Sequence, residues 1–551
     1  MFLRLLVRRI ALLFLMLFCL SGVLGETIAG PSSSATSQDG VQSAVRTGAH
    51  KERSRHWLDA IKFYEQSLKT WPDNRELKYG LRRSKIHFGI DRRYADRSFD
   101  RTLLRESRQE SLELLDEILE KVRGYYVESL SSTSFIAHGT ESFYLALANE
   151  KFTRRNLRDV DSDRVRRLRR ILREQYWNKP LSGRTDARRV VNEICDKARD
   201  IVGLPGSVVV MEYVFGGCNA LDDYSYCLSP DRFSDLNGII KGEFVGLGIE
   251  MKAEPGKGML LVNVLPDSPA EQGGMHSREH IVRIDGTDCR DMTTDEAAKL
   301  LRGPAGTTVR ISLQSPGSDR LRVRLFTRRA VQVKSIPTAT MIDEADGIGY
   351  IRMTGFQQST PREFDAALTR LRQQGMRSLI WDVRGNPGGL LAAAVEILDR
   401  LIDSGVLVST RGRVADQNWV YSAHRRGSMS MPLVLLVDGD SASASEIVAG
   451  AVRDHQRGTI VGRKTFGKWS VQSIFTLERS PGLTSTGLKL TTARFYSPAG
   501  HNFSHHGLMP DAIVAVPKGF RAAYRPKRDD LETDPDVKKG IEILHRQLTR
   551  R

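Results

Sequence analysis

Residues 438–475 read DGDSASASEIVAGAVRDHQRGTIVGRKTFGKWSVQSIF. Ser441, Ser443 and Ser445 alternate with small residues, and Lys468 follows in a glycine-bearing segment. A serine hydroxyl attacks a carbonyl effectively only when a base takes its proton. Two side chains in the stretch are candidate bases, His455 in RDHQRG and Lys468 in TFGKWSVQ. A lysine pressed into an apolar, glycine-lined site loses hydration, which disfavours the ammonium and frees the amine to accept a proton. Gln472, four residues after Lys468 in the chain, could hold that amine by a hydrogen bond. Against this stand plainer readings: a small-residue helix start for the serines and a helix C-terminal cap for His455.

The elements around these residues sharpen the case. PLVLLVD reads as a buried strand, and SASASEIVAGAVRD begins a helix straight after it. A strand-to-helix turn presents a side chain at the sheet's carboxyl edge and leaves free N–H groups at the helix start, where they can stabilise an oxyanion. SLIWDVRGNPGGLLAAAVEIL repeats the pattern: strand, glycine-rich turn, helix. Its glycines let backbone approach a ligand closely and form an anion-binding nest. Phosphate binding is a rival use, but no GKS or GKT follows, so a P-loop is unsupported.

From about residue 348, apolar strands alternate with helices (GIGYIRMTGF, SLIWDVR, PLVLLVD, GTIVGR, LKLTTARFY), which predicts an α/β domain with a largely parallel sheet. Residues 241–329 are short β-rich runs between Gly, Pro and Asp turns, with two short helices in SPAEQGG and TTDEAAKLLRG. Upstream, residues 106–240 read as helical, and HWLDAIKFYEQSLKTWPDN, within 57–105, resembles one tetratricopeptide unit. A lone unit cannot bury its own face, so this hairpin is expected to dock on something else. Residues 26–56 are Ser/Gly/Ala-rich and read as a flexible linker, and residues 518–551 as a helical tail.

The first 25 residues have Arg4, Arg8 and Arg9 ahead of an apolar run from Ile10 to Leu20, then small residues with Gly25 a cleavage point. This is the layout of an export signal, with an uncleaved anchor as the alternative. The expected location is therefore the periplasm or cell envelope, with membrane association through the N-terminus. The chain of 551 residues carries 83 Lys and Arg against 66 Asp and Glu, a net +17. The excess sits in helical stretches such as RRLRRILREQ, without aromatic-interleaved basic motifs or zinc-finger spacing, so no nucleic-acid partner is expected. Cys195, Cys218, Cys227 and Cys289 follow the leader and are too few for a disulfide framework, although Cys218 and Cys227 are candidates to pair. No CxxC or His-rich cluster suggests a metal, and no cofactor is expected.

Taken together, DVRGNPGG, SASASEIVAGAVRDHQRGTIVGRKTFGKWSVQ, and the upstream LDDYSYCLSPDRFSDL followed by GEFVGLGIEM resemble the C-terminal processing (tail-specific) serine peptidases, over roughly residues 110–545. The resemblance implies an α/β protease core of the ClpP/crotonase type with a mixed sheet, an inserted β-rich PDZ domain (241–329) and a catalytic core over 330–517, preceded here by an N-terminal α-helical region. In that family the middle serine of SASAS is the nucleophile and the lysine of TFGKG the base. The family spacing is met by Ser443 and Lys468 (468 − 443 = 25), and the family's lysine-orienting glutamine matches Gln472. The implied oxyanion hole uses the N–H of Ala444 and of Gly388 or Gly389. GLGI at Gly246, Leu247, Gly248 and Ile249 corresponds to the PDZ loop that holds a chain-terminal carboxylate while the adjoining strand pairs with the peptide. Two departures stand out: Trp469 replaces a glycine after the lysine, where its ring could narrow the site or shield Lys468 from water, and GGMHSREHIVRIDG lacks the usual Pro-Gly-Asp before the IDG turn. The expected partners are protein or peptide substrates held by their C-terminal tails and a regulatory adaptor. The competing expectation is a catalytically silent PDZ scaffold or chaperone that grips protein C-termini.

Overall fold

The computed structural model describes residues 38–265, 267–424, 429–478, 486–517, 519–523 and 525–549. The export-signal reading of residues 1–25 and the start of the linker stretch fall outside the described residues. The rest of that stretch departs from the linker expectation: Gln38–Arg53 is a helix. Val41, Ala44 and Val45 give it an apolar stripe at helical spacing, and Ala44 packs in a small core with Ala60, Tyr64 and Leu77.

The helices Trp57–Thr70 and Arg75–Tyr94 complete this unit, the second capped by Asn74, which accepts from Leu77 N. Tyr64 lies between Gly48 and Gly80, where an added Cβ would come within 2.3 and 2.4 Å of its ring. Its hydroxyl donates to Glu52 Oε1 at 2.5 Å, and the same carboxylate accepts from Arg83. The unit docks on the next helical block, where Arg93 donates to the buried Glu212 at 2.5 Å. That block comprises the helices Arg108–Tyr125, Ser132–Ala146, Arg184–Val202 and Gly206–Gly217. The last is buried on every side, with Glu212 as its one charged residue, and is therefore central. Their core continues into Leu477, Leu488 and Leu490 of the antiparallel strands Ser470–Leu477 and Thr486–Tyr496.

Six strands form the sheet that positions the site, in the spatial order Thr338–Asp343, Ile348–Arg352, Ser378–Asp382, Leu433–Val437, Thr459–Gly462 and Ala512–Ile513. The first pairing is antiparallel and the other four are parallel, so the sheet is mixed. Ile348–Arg352, Ser378–Asp382 and Leu433–Val437 are buried along their whole length because both faces are covered. Helices Thr360–Gln373, Leu391–Leu398 and Ala444–Asp454 pack on one face, and Leu531, Val537 and Leu544 of the C-terminal helices on the other.

A separate β-rich core is built from strands Ile249–Glu254, Gly258–Val264, His280–Ile284, Thr308–Gln314 and Leu321–Thr327, with helices Pro269–Gln272 and Thr294–Leu301. Ile249–Glu254 lies at one edge of this sheet. The four cysteines are buried free thiols, Cys218 and Cys227 included. Among the described residues no helix is long and apolar enough to cross a membrane.

The glycine seat of Tyr64 is a specific test of the N-terminal unit. Gly80→Leu should displace the ring and lower stability by about 1–3 kcal/mol, the usual cost of overpacking, read as a lower midpoint in thermal unfolding.

Candidate active site

Three loops leave the carboxyl ends of neighbouring parallel strands: 383–390 after Ser378–Asp382, 438–443 after Leu433–Val437, and 463–469 after Thr459–Gly462. Crevices at that end of a parallel sheet are where side chains from several loops converge. Ser443 caps the helix Ala444–Asp454 with φ 56° and ψ −115°, a left-handed conformation costly for serine, on the order of 1–3 kcal/mol.

The surrounding loops hold it there. Ser441 Oγ donates to Val383 O at 2.9 Å and accepts from Asp438 N, while Ser445 Oγ donates to Asn386 O at 2.9 Å. Both hydroxyls are buried and bind one loop to the next. Ser443 alone of the three is partly exposed. The structure thus separates Ser443 from its neighbours on grounds independent of spacing.

Gly388 (φ +96°) lies against this turn: an added Cβ would sit 2.8 Å from Ser443 Cβ and from Ala444 N. Its N–H donates to Asn386 Oδ1 at 2.9 Å, and its carbonyl accepts from Phe356 N at 3.0 Å. A trans peptide turns its N–H away from its carbonyl, so the Gly389 N–H faces away from Phe356. Ala444 is the first residue of the helix, where N–H groups have no intrahelical partner.

Lys468 is buried, 5% exposed, with its ammonium over the Tyr224 ring at 5.0 Å from the centroid. Burial pushes its pKa down to about 8, against the opposing pull of Glu446 and Asp222. A second buried lysine, Lys489, stands over Tyr226 at 5.2 Å, and burial and the Lys468 charge hold its pKa well below the usual value.

Glu446 ties the two loops together. Its Oε2 accepts from Ser443 N at 2.9 Å and from Lys468 N at 2.8 Å, and its Oε1 from Gly467 N at 2.6 Å and Thr465 Oγ1 at 2.7 Å. The backbones of the candidate nucleophile and base therefore hang from one carboxylate oxygen. Burial raises the Glu446 pKa, and these donors oppose the rise.

Gln472 lies opposite Thr491 in the strand pair, and its Nε2 donates to Ser470 Oγ at 2.9 Å and Thr491 Oγ1 at 3.2 Å. Trp469 does not stand over the lysine: its ring is buried against Phe495 and Phe503 and near Gly450. His455 caps the far end of the 11-residue helix that Ser443 begins, and its Nε2 lies 2.7 Å from Val406 O. His455 lies twelve residues after Ser443 (455 − 443 = 12), which at 1.5 Å per residue is roughly 18 Å, too far for His455 to serve Ser443 as base. Sequence reasoning missed Glu446, Asn386, Tyr224 and Lys489. The S-x-x-E spacing of Ser443 and Glu446 was the available signal, being that of a helix capping box.

In the β-rich domain, Leu247 and Ile249 are buried, and Gly248 (φ +79°) lies against Ser268. Leu247 O accepts from Ala270 N and Gly248 O from Leu265 N, so these carbonyls turn inward. The N–H groups of Gly248 and Ile249 then turn the opposite way, beside an edge strand whose outer side has no neighbour in the sheet among the described residues. Among the described residues one group, Asp343, Asp346 and His545, brings three metal-competent atoms within 4.8 Å of one another. It lies at the turn before Ile348, at the opposite end of the sheet from the serine.

A strained serine at a strand-to-helix turn, with a buried lysine on the adjoining loop, defines a serine-hydrolase class of site. Comparison with known proteins narrows it. The model for peptidase family S41 matches residues 347–514, and that for the PDZ domain matches residues 261–315. The carboxyl-terminal-processing protease of Synechocystis sp. is 33% identical over 352 residues, 63% of this chain and 75% of that protein. The carboxy-terminal-processing protease of Bartonella bacilliformis is 34% identical over 323 residues, 57% of this chain and 72% of that protein. Among solved structures, the photosystem II D1 C-terminal processing protease aligns with 74% of this chain and 93% of its own at 27% identity and a TM-score of 0.37. The chain belongs to peptidase family S41, among the PDZ-bearing carboxyl-terminal-processing proteases, and is a serine-type protease.

Two outcomes follow from this geometry. With Lys468 as base, the neutral amine is the active form, so kcat/KM should rise about tenfold per pH unit below about 8 and level off above it. Glu446→Gln sets an NH₂ among N–H and O–H donors and should cost about 10- to 100-fold in kcat, because the two loops lose their common acceptor. An unchanged kcat in Glu446→Gln would show that Glu446 does not position them.

Proposed function

We propose that this protein is an exported endopeptidase that cleaves protein substrates gripped by their C-terminal tails, using Ser443 and Lys468 as a Ser-Lys dyad. The observation that carries the reading is the Glu446 carboxylate, which holds Ser443 N and Lys468 N on one oxygen beside a buried lysine with a pKa of about 8. Ser443 Oγ attacks the scissile carbonyl as Lys468 Nζ takes its proton. The negative charge on the carbonyl oxygen is met by the N–H of Ala444 and of Gly389, since the Gly388 N–H is committed to Asn386. Lys468 returns the proton to the leaving amine, and the C–N bond breaks to leave an acyl-enzyme. Water, deprotonated by Lys468, releases the second product. Gln472, anchored through its Nε2 by Ser470 and Thr491, orients the lysine with its remaining oxygen.

Tail selection falls to the PDZ domain. The outward N–H groups of Gly248 and Ile249 suit a terminal carboxylate, and the Ile249–Glu254 strand offers its free edge to the peptide. Leu300 and Leu301, on the neighbouring helix, favour an apolar terminal side chain. The core belongs on this reading to the ClpP/crotonase type, supported by the mixed sheet with helices on both faces. The basic, apolar leader directs the chain to the periplasm or cell envelope, with residues 1–25 cleaved or kept as an anchor, and a regulatory adaptor is a further partner.

The deciding experiment compares one unfolded protein substrate as free acid and as C-terminal amide, with wild type, Ser443→Ala and Lys468→Arg. Both variants should be inactive, the arginine because a guanidinium cannot give up its proton. Amidation should slow capture roughly ten- to hundredfold, from the loss of about 1.5–3 kcal/mol of charge-assisted hydrogen bonding. Turnover by Lys468→Arg would remove the lysine from the base role, and equal rates on acid and amide would remove the tail from recognition.

A further inference from the structure

Beyond the matched peptidase region lies a helix, Pro535–Thr549, on the sheet face opposite the Ala444–Asp454 helix. Val537 and Leu544, packed with Ile380, Val434 and Val461, account for its docking. They do not account for what its first turn carries. Asp536 is fully buried and accepts from Arg384 Nη1 at 2.6 Å and from Arg463 Nη1 at 2.6 Å. Asp534 accepts from the same Arg384 nitrogen at 2.9 Å and from Asp536 N and Val537 N. Arg384 is itself buried and forks onto Asp382, Nε to Oδ1 at 3.0 Å and Nη2 to Oδ2 at 2.7 Å.

The two arginines are not equivalent surface partners. Arg384 stands at the root of the turn that ends in Gly388 and Gly389, whose next residue, Gly385, donates to Asp438 Oδ1 of the serine loop. Arg463 stands at the root of the loop that ends in Lys468, and its N–H donates to Val437 O at the end of the serine strand. One carboxylate from the C-terminal helix thus joins the origins of the loops on either side of Ser443. Where stability alone counts, apolar packing replaces a buried ion cluster readily. This cluster sits where the spacing of two loops is set.

Resting on the Ser443–Lys468 reading, we propose that Asp536 is a positioning residue: through Arg384 and Arg463 the helix Pro535–Thr549 fixes the spacing between the Gly388–Gly389 turn and the Lys468 loop, so a segment beyond the matched peptidase region completes the active site. Displacements of about 1 Å in such a setting lower turnover by up to about a hundredfold while leaving remote substrate contacts intact. The effect therefore belongs in kcat and not in KM. A loosened lysine loop also admits water to the Lys468 amine, which raises its pKa.

The test is steady-state kinetics of the full chain on an unfolded protein with a free C-terminal carboxylate, over a pH series, with thermal unfolding in parallel. Asp536→Asn removes the shared charge. Arg463→Gln cuts only the lysine-side link at a partly exposed residue, and so keeps the test open should Asp536→Asn not fold. Arg546→Ala, at the exposed end of the same helix, is the control. In the folded Asp536 and Arg463 variants, kcat should fall about tenfold or more with KM within about twofold, and the acid limb of the pH profile should move to higher pH; the control should match wild type. Wild-type kcat and an unmoved acid limb in folded Arg463→Gln would overturn the proposal. So would a fall in kcat that tracks loss of folded protein with the acid limb unmoved. Ser443→Ala runs alongside: activity there would sink the dyad reading alone, because the kcat ratios of the other variants still read the clamp.

Discussion

A carboxylate buried away from bulk solvent is the constraint on which this site depends. Burying the Glu446 charge costs several kcal/mol unless its lone pairs are filled, and they are filled by Ser443 N, Lys468 N, Gly467 N and Thr465 Oγ1. Those donors come from two loops that are remote in sequence. Neither loop can shift alone without leaving a buried charge short of partners. The strain at Ser443 persists for the same reason, since its N–H is held by Glu446 and its carbonyl by Glu446 N and Ile447 N.

The sheet register makes this possible. Ser378–Asp382, Leu433–Val437 and Thr459–Gly462 are parallel neighbours, so their three following loops emerge side by side. Small residues then let the loops touch: Gly388 lies on Ser443, and an added Cβ at Gly467 would sit 2.9 Å from Gly507 N. Hydroxyls and one amide close the seams, with Ser441 reaching Val383 O, Ser445 reaching Asn386 O and Asn386 reaching Met353 O.

The electrostatics of Lys468 are a balance, not a single effect. Burial disfavours its ammonium, while Asp222 and Glu446 favour it, and the outcome near 8 lies where both protonation states are accessible. Glu446 fills its lone pairs mainly with backbone N–H groups and so fixes the lysine's loop without holding the amine wholly as its ammonium. The Tyr224 and Tyr226 rings, one under each buried lysine, bring the segment before the PDZ domain into the same environment. The segment that follows the helical block, the strand Thr486–Tyr496 and a loop of the parallel sheet therefore meet around Lys468 and Lys489.

Much of this was legible in the chain. Short apolar runs such as LIW and LVLLV, each closed by an aspartate, marked the parallel strands, and the break after PLVLLVD marked the turn that carries Ser443. Helical periodicity was diluted in Gln38–Arg53 by two glycines and several polar residues, so a helix stabilised mainly by Tyr64 and its neighbours read as a linker. Side-chain identity could rank three serines only through a family spacing, because which hydroxyl is buried as a staple depends on the loop across from it. The same limit hid Lys489, whose strand position says nothing of the lysine beside it, and Asp536, whose partners lie 73 and 152 residues away in sequence. Local sequence determined the strands, turns and reactive residue types, since those follow from short-range backbone and hydrophobic preferences. Only the tertiary structure decided which polar groups share a dry interior, because burial and charge pairing belong to segments that meet after folding.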